Sequence, residues 1–399
     1  MADANVREWL ESAAAHRQAG RLVQAQEMYR QVLRQDADNA EAVAGMGLLA
    51  RQVGRHPLAA AYFGRAAQVR PDVPVYHQQQ AEAWLAAGDF SQAASCFRNA
   101  IRLTPSQATL HFNLGIALGK LQRADDAIAS LREAVRLDPG MIDAHVELAR
   151  ELEVSGRREE AADVYRQLQA LTPDNPNLGF HIAALTGQAP PAAMPASLVG
   201  VLFDRHAQTF DEHLTQQLGY RVPELLLNAV NETGVGKELA ILDLGCGTGL
   251  VGQLFRPRAA RLVGVDLSGG MLAKAKQRGV YDELQQRDVL EAMQSAPGSF
   301  DLILAGDVLC YLGDLSAVFQ AARAALKPGG LFAISVELND APGWSLKPAR
   351  RYAHAFDYVQ QTLLAGGFEI VRLQKTALRQ DAGKDVNGVI AVARRPAAV

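Results

Sequence analysis

Ile241-Leu242-Asp243-Leu244-Gly245-Cys246-Gly247-Thr248-Gly249 is an apolar run that meets an acid and then three alternating glycines. The run reads as a short β-strand entering a tight turn, with a helix to follow. Glycine belongs where the backbone turns sharply and a ligand must approach it closely. The spacing excludes two phosphate-binding patterns. Leu250 stands where G-x-G-x-x-G needs its last glycine, and no G-x-x-x-x-G-K-[S/T] is present. Asp243, at the entrance of the turn, repels phosphate and suits an ammonium group.

Outward from this turn, short apolar strands alternate with amphipathic helices. The expected strands cover residues 240–244, 261–266, 281–286, 300–305, 330–336, 368–375 and 388–393, preceded by helical stretches over 202–214 and 221–230. Such alternation predicts a doubly wound, mostly parallel sheet that binds ligands at the carboxyl ends of its strands. Acids stand at those ends. Asp266 closes the second strand, where a carboxylate can accept two ribose hydroxyls. Ser268 reads as a helix N-cap before Met271 and Leu272. Asp288, in Gln286-Arg287-Asp288-Val289, follows the third strand and can accept an adenine amino group, and Asp307 follows the fourth.

In this order and spacing the segments resemble the class I S-adenosylmethionine-dependent methyltransferases, over residues 200–396. The resemblance implies an α/β Rossmann-like seven-stranded sheet in the order 3-2-1-4-5-7-6, with 379–385 as the loop of a final antiparallel hairpin. It implies S-adenosyl-L-methionine as cofactor. Asp243, Gly245 and Gly247 would line its methionine portion, Asp266 its ribose, and Asp288 and Val289 its adenine, with Cys246, Leu267 and Met271 as further contacts. Asp307 would face the methyl group. The lead segment, Leu202-Phe203-Asp204-Arg205-His206-Ala207 then Phe210-Asp211, resembles that of bacterial methyltransferases with upstream tetratricopeptide repeats, and the lid helices of small-molecule methyltransferases. Arg221 is either a partner for the methionine carboxylate or a surface residue.

Methyl transfer from a sulfonium is an in-line displacement, so alignment of the reactants does much of the work. A base is needed only if the acceptor must lose a proton. Candidate bases are His354 and His206, while Asp307 and Tyr311 follow the fourth strand, where the acceptor should sit. Arg350 and Arg351 suggest an acidic group on the substrate, or else a solvated loop. Cys246 reads as a small packing residue. The absence of Asn-Pro-Pro-Tyr or Asp-Pro-Pro-Tyr after the fourth strand argues against amide or adenine nitrogen as acceptor.

The first half repeats every 34 residues. Gly20, Gly54, Gly88 and Gly156 share a register whose missing member is Gln122, and Ala25, Ala59, Ala93, Ala127 and Ala161 share another. Pro71, Pro105, Pro139 and Pro173 share a third, and Tyr29, Phe63, Phe97, Leu131 and Tyr165 a fourth. Glycine suits the turn between two helices, alanine their close approach, the large residues the layer between hairpins, and proline the helix end. The pattern resembles the tetratricopeptide repeat family, five repeats over 6–175, and predicts an all-α superhelix with 177–187 as a capping helix. His77, His111 and His145 also recur at this period; helices 8–10 Å apart cannot bring them to one metal ion.

The expected domains are thus 1–187 for the repeats, 188–200 for a proline-rich linker and 201–399 for the methyltransferase domain. With 40 basic and 43 acidic residues among 399, the net charge of −3 excludes a strongly basic nucleic-acid binder. Neither a signal peptide nor a membrane span is visible, and the three cysteines have no metal-ligand spacing, which predicts a cytoplasmic protein. The leading expectation is methyl transfer to an oxygen or carboxylate of a small metabolite, the repeats serving protein interaction or self-association. The alternatives are a protein methyltransferase whose repeats capture its substrate, and a repeat scaffold with a vestigial cofactor domain.

Overall fold

The computed structural model describes residues 2–381 and 383–397. Ala382, within the expected 379–385 loop, lies outside them, as do Met1 and residues 398–399. The chain divides into two units, Met1–Pro173 and Asp174–Val399.

The first unit is a row of five helical hairpins. They are α1 (Ala2–Gln18) with α2 (Leu22–Gln35), α3 (Ala40–Gln52) with α4 (His56–Val69), α5 (Pro74–Ala87) with α6 (Phe90–Leu103), α7 (Ala108–Lys120) with α8 (Ala124–Leu137), and α9 (Ile142–Val154) with α10 (Arg158–Leu171). The five alanines of the conserved register are completely buried. Large and small residues interlock: a Cβ on Gly47 would stand 2.9 Å from the Phe63 ring, and one on Gly115 2.6 Å from Leu131. The turn glycines have φ between 72° and 81°, and Gln122, in the same register, has φ 58°. The recurring histidines tie down the turns between successive hairpins. Nε2 of His77, His111 and His145 donates to the carbonyl of Pro71, Pro105 and Pro139 at 3.1, 2.9 and 3.0 Å.

The second unit opens with α11 (Pro176–Thr186) and α12 (Ala196–His206), a short α13 (Phe210–Glu212), a π-helical turn His213–Gln217, and α14 (Val222–Asn231). Then follow β1 (Leu239–Leu244), α15 (Leu250–Phe255), β2 (Ala259–Asp266), α16 (Gly269–Arg278), β3 (Glu283–Gln286), α17 (Val289–Gln294), β4 (Phe300–Ala305), α18 (Ser316–Ala325) and β5 (Leu326–Glu337). Two short strands, β6 (Trp344–Leu346) and β7 (Tyr352–His354), pair with each other. The chain ends with α19 (Phe356–Ala365), β8 (Glu369–Asp381) and β9 (Lys384–Arg394).

The main sheet has seven strands in the order β3-β2-β1-β4-β5-β9-β8. Without the separate β6–β7 pair, this is the order 3-2-1-4-5-7-6. β1 to β5 run parallel, and β9 is antiparallel to both neighbours. One face packs Leu226, Val230 and Phe255 from α14 and α15 against Leu262, Leu302 and Leu331. The other packs Phe319, Val359 and Leu363 from α18 and α19 against Ile303, Phe332 and Val389. The edges are β3, which is short and polar, and β8, whose register with β9 shifts at Ile370/Arg372 and at Ala377/Arg379.

Two expectations need correction here. The division between units falls before α11, not after it, because Phe180, Ala183 and Ala184 of this helix bury with Met194, Leu346 and Tyr352 of the second unit. The proline-rich stretch is more than a short connection between domains. Its prolines forbid a helix, which leaves its backbone groups to pair with the domain. The Tyr352 hydroxyl donates to the Pro191 carbonyl at 2.6 Å, Gly313 N–H to the Ala192 carbonyl at 2.7 Å, and Met194 N–H to the Tyr311 carbonyl at 2.9 Å. From Ala196 the chain is already helical.

Candidate active site

β1 delivers the chain into the glycine turn. Gly245, Gly247 and Gly249 have φ of 58°, 54° and 95°, values that side chains resist. Gly245 also has no room, since a Cβ there would lie 2.3 Å from Val308 Cγ2. Cys246 N–H donates to the Val265 carbonyl at 2.9 Å and ties the turn to the end of β2. Asp266, at that end, accepts Gly247 N–H at 2.9 Å and Ser268 N–H at 2.8 Å, one on each oxygen. A carboxylate has lone pairs beyond these two. Asp243 lies beneath the turn, almost wholly buried. Its Oδ2 accepts the Tyr281 hydroxyl at 2.7 Å. Burial pushes this carboxyl up to about 7, against the Tyr281 hydrogen bond, which favours the charged form.

A cavity of about 660 Å³ opens above the turn. Gly245, Cys246, Gly247, Asp266, Leu267 and Val289 line it beside β1 and β2, and Asp307, Tyr311, Arg351 and Arg379 beside β4 and β5. The latter form a tight cluster with Glu337. Arg351 donates to Asp307 Oδ1 at 2.6 Å, to the Tyr311 oxygen at 2.9 Å, and to Glu337. Arg379 donates to Glu337 at 2.5 Å and to Asp307 at 3.4 Å. Burial opposes ionisation of Glu337, but Arg351 and Arg379 outweigh it and hold the carboxyl below the usual range. Burial keeps the Tyr311 phenol well above its ordinary pKa despite Arg351. Asp307 occupies the left-handed region, φ 59°, where a non-glycine residue stores strain that functional sites commonly carry. Asp307, Cys310 and Glu337 bring ligand atoms within 4.8 Å of one another, yet both carboxylates are already engaged by guanidinium groups.

The lead segment covers the cavity with Leu202, Phe203, His206 and Phe210. His206 Nδ1 donates to the Leu202 carbonyl at 2.7 Å, which leaves Nε2 as the nitrogen with a lone pair when the ring is neutral.

Residues 242–334 match the family described as methyltransferase domain, and residues 10–74, 79–142 and 120–179 match tetratricopeptide repeat families. The chain joins tetratricopeptide repeats to a methyltransferase domain. The malonyl-[acyl-carrier protein] O-methyltransferase of Yersinia pestis is 27% identical over 179 residues, which are 43% of this chain and 63% of that protein. The ubiquinone biosynthesis O-methyltransferase of Pseudomonas paraeruginosa is 26% identical over 183 residues, 43% of this chain and 75% of that one. Methyltransferase-like protein 27 of Homo sapiens is 33% identical over 145 residues, 35% of this chain and 58% of that one. This chain thus spans 47–63% of the length of three malonyl-[acyl-carrier protein] O-methyltransferase relatives it matches. Among solved structures, the [4+2]-cyclase SpnF aligns at 18% identity with a TM-score of 0.45, over 52% of this chain and 98% of that one.

Within the methyltransferase domain the residues expected from sequence separate into two groups. Gly245, Cys246, Gly247, Asp266, Leu267, Val289, Asp307, Tyr311 and His206 line the one cavity; Asp243, Met271, Asp288, Arg221 and His354 do not. Met271 is fully buried under the Ser268 cap, and Asp288 caps α17 by accepting Leu290 N–H at 2.8 Å. Arg221 points to solvent, its N–H on the Leu378 carbonyl. His354 is completely buried, stacked on Tyr358, with Nε2 donating to the Gly313 carbonyl at 3.0 Å. Burial lowers its pKa to about 4, so it is a neutral structural residue and not a base at the cavity. Arg351 reaches the cavity and its neighbour Arg350 does not. Arg379 and Tyr220 also line the cavity, unmarked by any sequence signal. The register shift at Ala377/Arg379 turns Leu378 into the core and Arg379 to the cavity, and no local sequence pattern announces such a bulge.

Proposed function

We propose that the chain transfers a methyl group from S-adenosyl-L-methionine to an oxygen of a small, carboxylated or hydroxylated acceptor. One observation carries this reading: a single cavity joins the glycine turn and Asp266 to the cluster of Asp307, Tyr311, Arg351 and Arg379. The residues fit the cofactor. The turn excludes side chains from its floor, the Asp266 carboxylate retains lone pairs for ribose hydroxyls, and Leu267 and Val289 offer apolar walls to a purine. When bound, the cofactor supplies a methyl group already activated by its sulfonium charge.

The chain's own residues then hold and orient the acceptor. Arg351 donates to the Tyr311 oxygen and burial keeps that phenol protonated, so its O–H is a donor for an acceptor oxygen. The two guanidinium groups, their charge matched by Asp307 and Glu337, keep unused N–H donors on the same wall, which suits an acceptor oxygen. His206 Nε2 is the proton acceptor for a hydroxyl substrate; a carboxylate needs none. The O-methyltransferase relatives support oxygen as the accepting atom. The repeats serve protein interaction or self-association, the common use of such arrays.

Two measurements test this. Calorimetry should show S-adenosyl-L-methionine binding, weakened about tenfold to a hundredfold by Asp266→Ala through loss of its charged hydrogen bonds. Cell extract incubated with labelled cofactor and the chain should acquire label in small molecules. No binding at high micromolar cofactor sinks the proposal, and label found only in protein replaces it with protein methylation.

A further inference from the structure

Phe203-Asp204 and Phe210-Asp211 repeat one dipeptide seven residues apart. In both copies the two side chains take separate directions. Phe203 and Phe210 line the cavity, meet edge to face with ring centroids 5.8 Å apart, and Phe203 meets Tyr311 in the same way at 5.4 Å. The aspartates reach the two turns that frame the cavity. Asp204 accepts the Ser268 hydroxyl at 2.5 Å and Gly270 N–H at 3.0 Å. Ser268 N–H in turn donates to Asp266, so both acids grip one serine. Asp211 accepts the Thr248 hydroxyl within the glycine turn and pairs with Arg278 at 2.5 Å, while Arg278 Nε donates to the Thr248 carbonyl at 2.8 Å. Neither α12 nor α13 has a buried residue. Leu198 and Val199 pack half-buried against the Phe180, Met194 and Tyr352 cluster, and the charge-assisted contacts of the two acids add a hold directed at the two turns. Gly270 permits the approach: a Cβ there would stand 3.1 Å from Asp204 and 3.2 Å from Ala207.

We infer that Asp204 and Asp211 are positioning residues that clasp the lead segment to the two cofactor-holding turns, so that cofactor retention and closure of the aromatic wall are one event. The inference rests on the proposed cofactor reading. Each acid acts through a group of the cradle, Ser268 or Thr248, and neither lines the cavity itself. The clasp sets how long the cofactor stays and how well Phe203, Phe210 and Tyr311 are aligned around the acceptor.

The test is stopped-flow release of S-adenosyl-L-methionine from the full chain, compared with Asp204→Ala, Asp211→Ala, Thr248→Val and the Asp211→Ala/Thr248→Val pair. Each aspartate variant should release the cofactor about tenfold to a hundredfold faster, with an unchanged melting temperature. The double variant should release it no faster than Asp211→Ala alone, because that change already removes the Thr248 contact along with the Arg278 pair. Hydrogen exchange over residues 196–217 should rise in the variants with cofactor present. Wild-type release rates in both aspartate variants, or strictly additive effects in the pair, overturn the inference while leaving the proposed function intact. A melting temperature that falls in step with faster release also overturns it, since the acids then serve folding alone. Failure of the wild-type chain to bind the cofactor sinks the proposed function and the clasp together.

Discussion

Asp243 is an acid placed where water does not reach, with Tyr281 wedged beside it. A Cβ on Gly252 would strike the Tyr281 oxygen at 2.3 Å, and one on Gly264 would meet its ring at 2.9 Å. The consequence is a pH signature. The folded carboxyl titrates near 7, above the ordinary value near 3.9 of an unfolded chain. Between these values the folded state holds a proton that the unfolded state has released. The contribution of this group is therefore full below about pH 4 and is lost as pH rises through about 7. Denaturant midpoints at about pH 5 and about pH 8 should show the wild type losing stability relative to Asp243→Asn, by up to a few kcal/mol. Parallel curves for the two chains would mean that Asp243 is charged throughout. At this scale the sequence was legible where an acid or glycine sits at a strand end, because the strand's direction alone places it: Gly245, Asp266 and Asp307 line the cavity. It was illegible where burial decides. His354 stands near two arginines in the sequence like a base, and the fold seals it against Gly313.

The repeat hairpins show how far an element can be read from its period. Gln122 stands where the other repeats have glycine, and its backbone adopts the same left-handed conformation. A side chain in that region costs on the order of 1 kcal/mol, while glycine adds unfolded-state entropy in return. Gln122→Gly should leave the fold unchanged and raise stability by up to about 1 kcal/mol, read from the chemical denaturation midpoint. A loss of stability would show that the Gln122 side chain makes up for its strain. The long parallel strands were equally readable, since continuous apolar runs bounded by turns leave few alternatives. The β6–β7 pair was not. Three-residue strands carry too few positions for a periodic pattern, and Tyr352 and His354 face a surface built from distant segments. The proline-rich stretch misled for a related reason: composition excludes a helix there but does not say that its carbonyls will find donors at Tyr352 and Gly313, or that Met194 N–H will find the Tyr311 carbonyl.

For the whole chain, the boundary has practical weight. A fragment of residues 174–399 retains α11 and the proline-rich strap, and should fold and bind S-adenosyl-L-methionine as the full chain does. A fragment of 201–399 exposes Leu346 and Tyr352 and leaves the N–H groups of Gly313 and Asp314 without the Ala192 carbonyl. It should melt at a markedly lower temperature and bind the cofactor weakly, by circular dichroism and calorimetry. Equal behaviour of the two fragments would show that the strap is dispensable. The sheet's borders carry a different consequence. A bare strand margin is a template on which another molecule can add its own backbone. Here one margin is only Glu283–Gln286, too short and too polar to recruit a stranger, and the other is broken by two register shifts and carries Arg372 and Lys375. Heating or crowding therefore finds no smooth ribbon to extend, and resistance to fibril growth is written into the outermost strands.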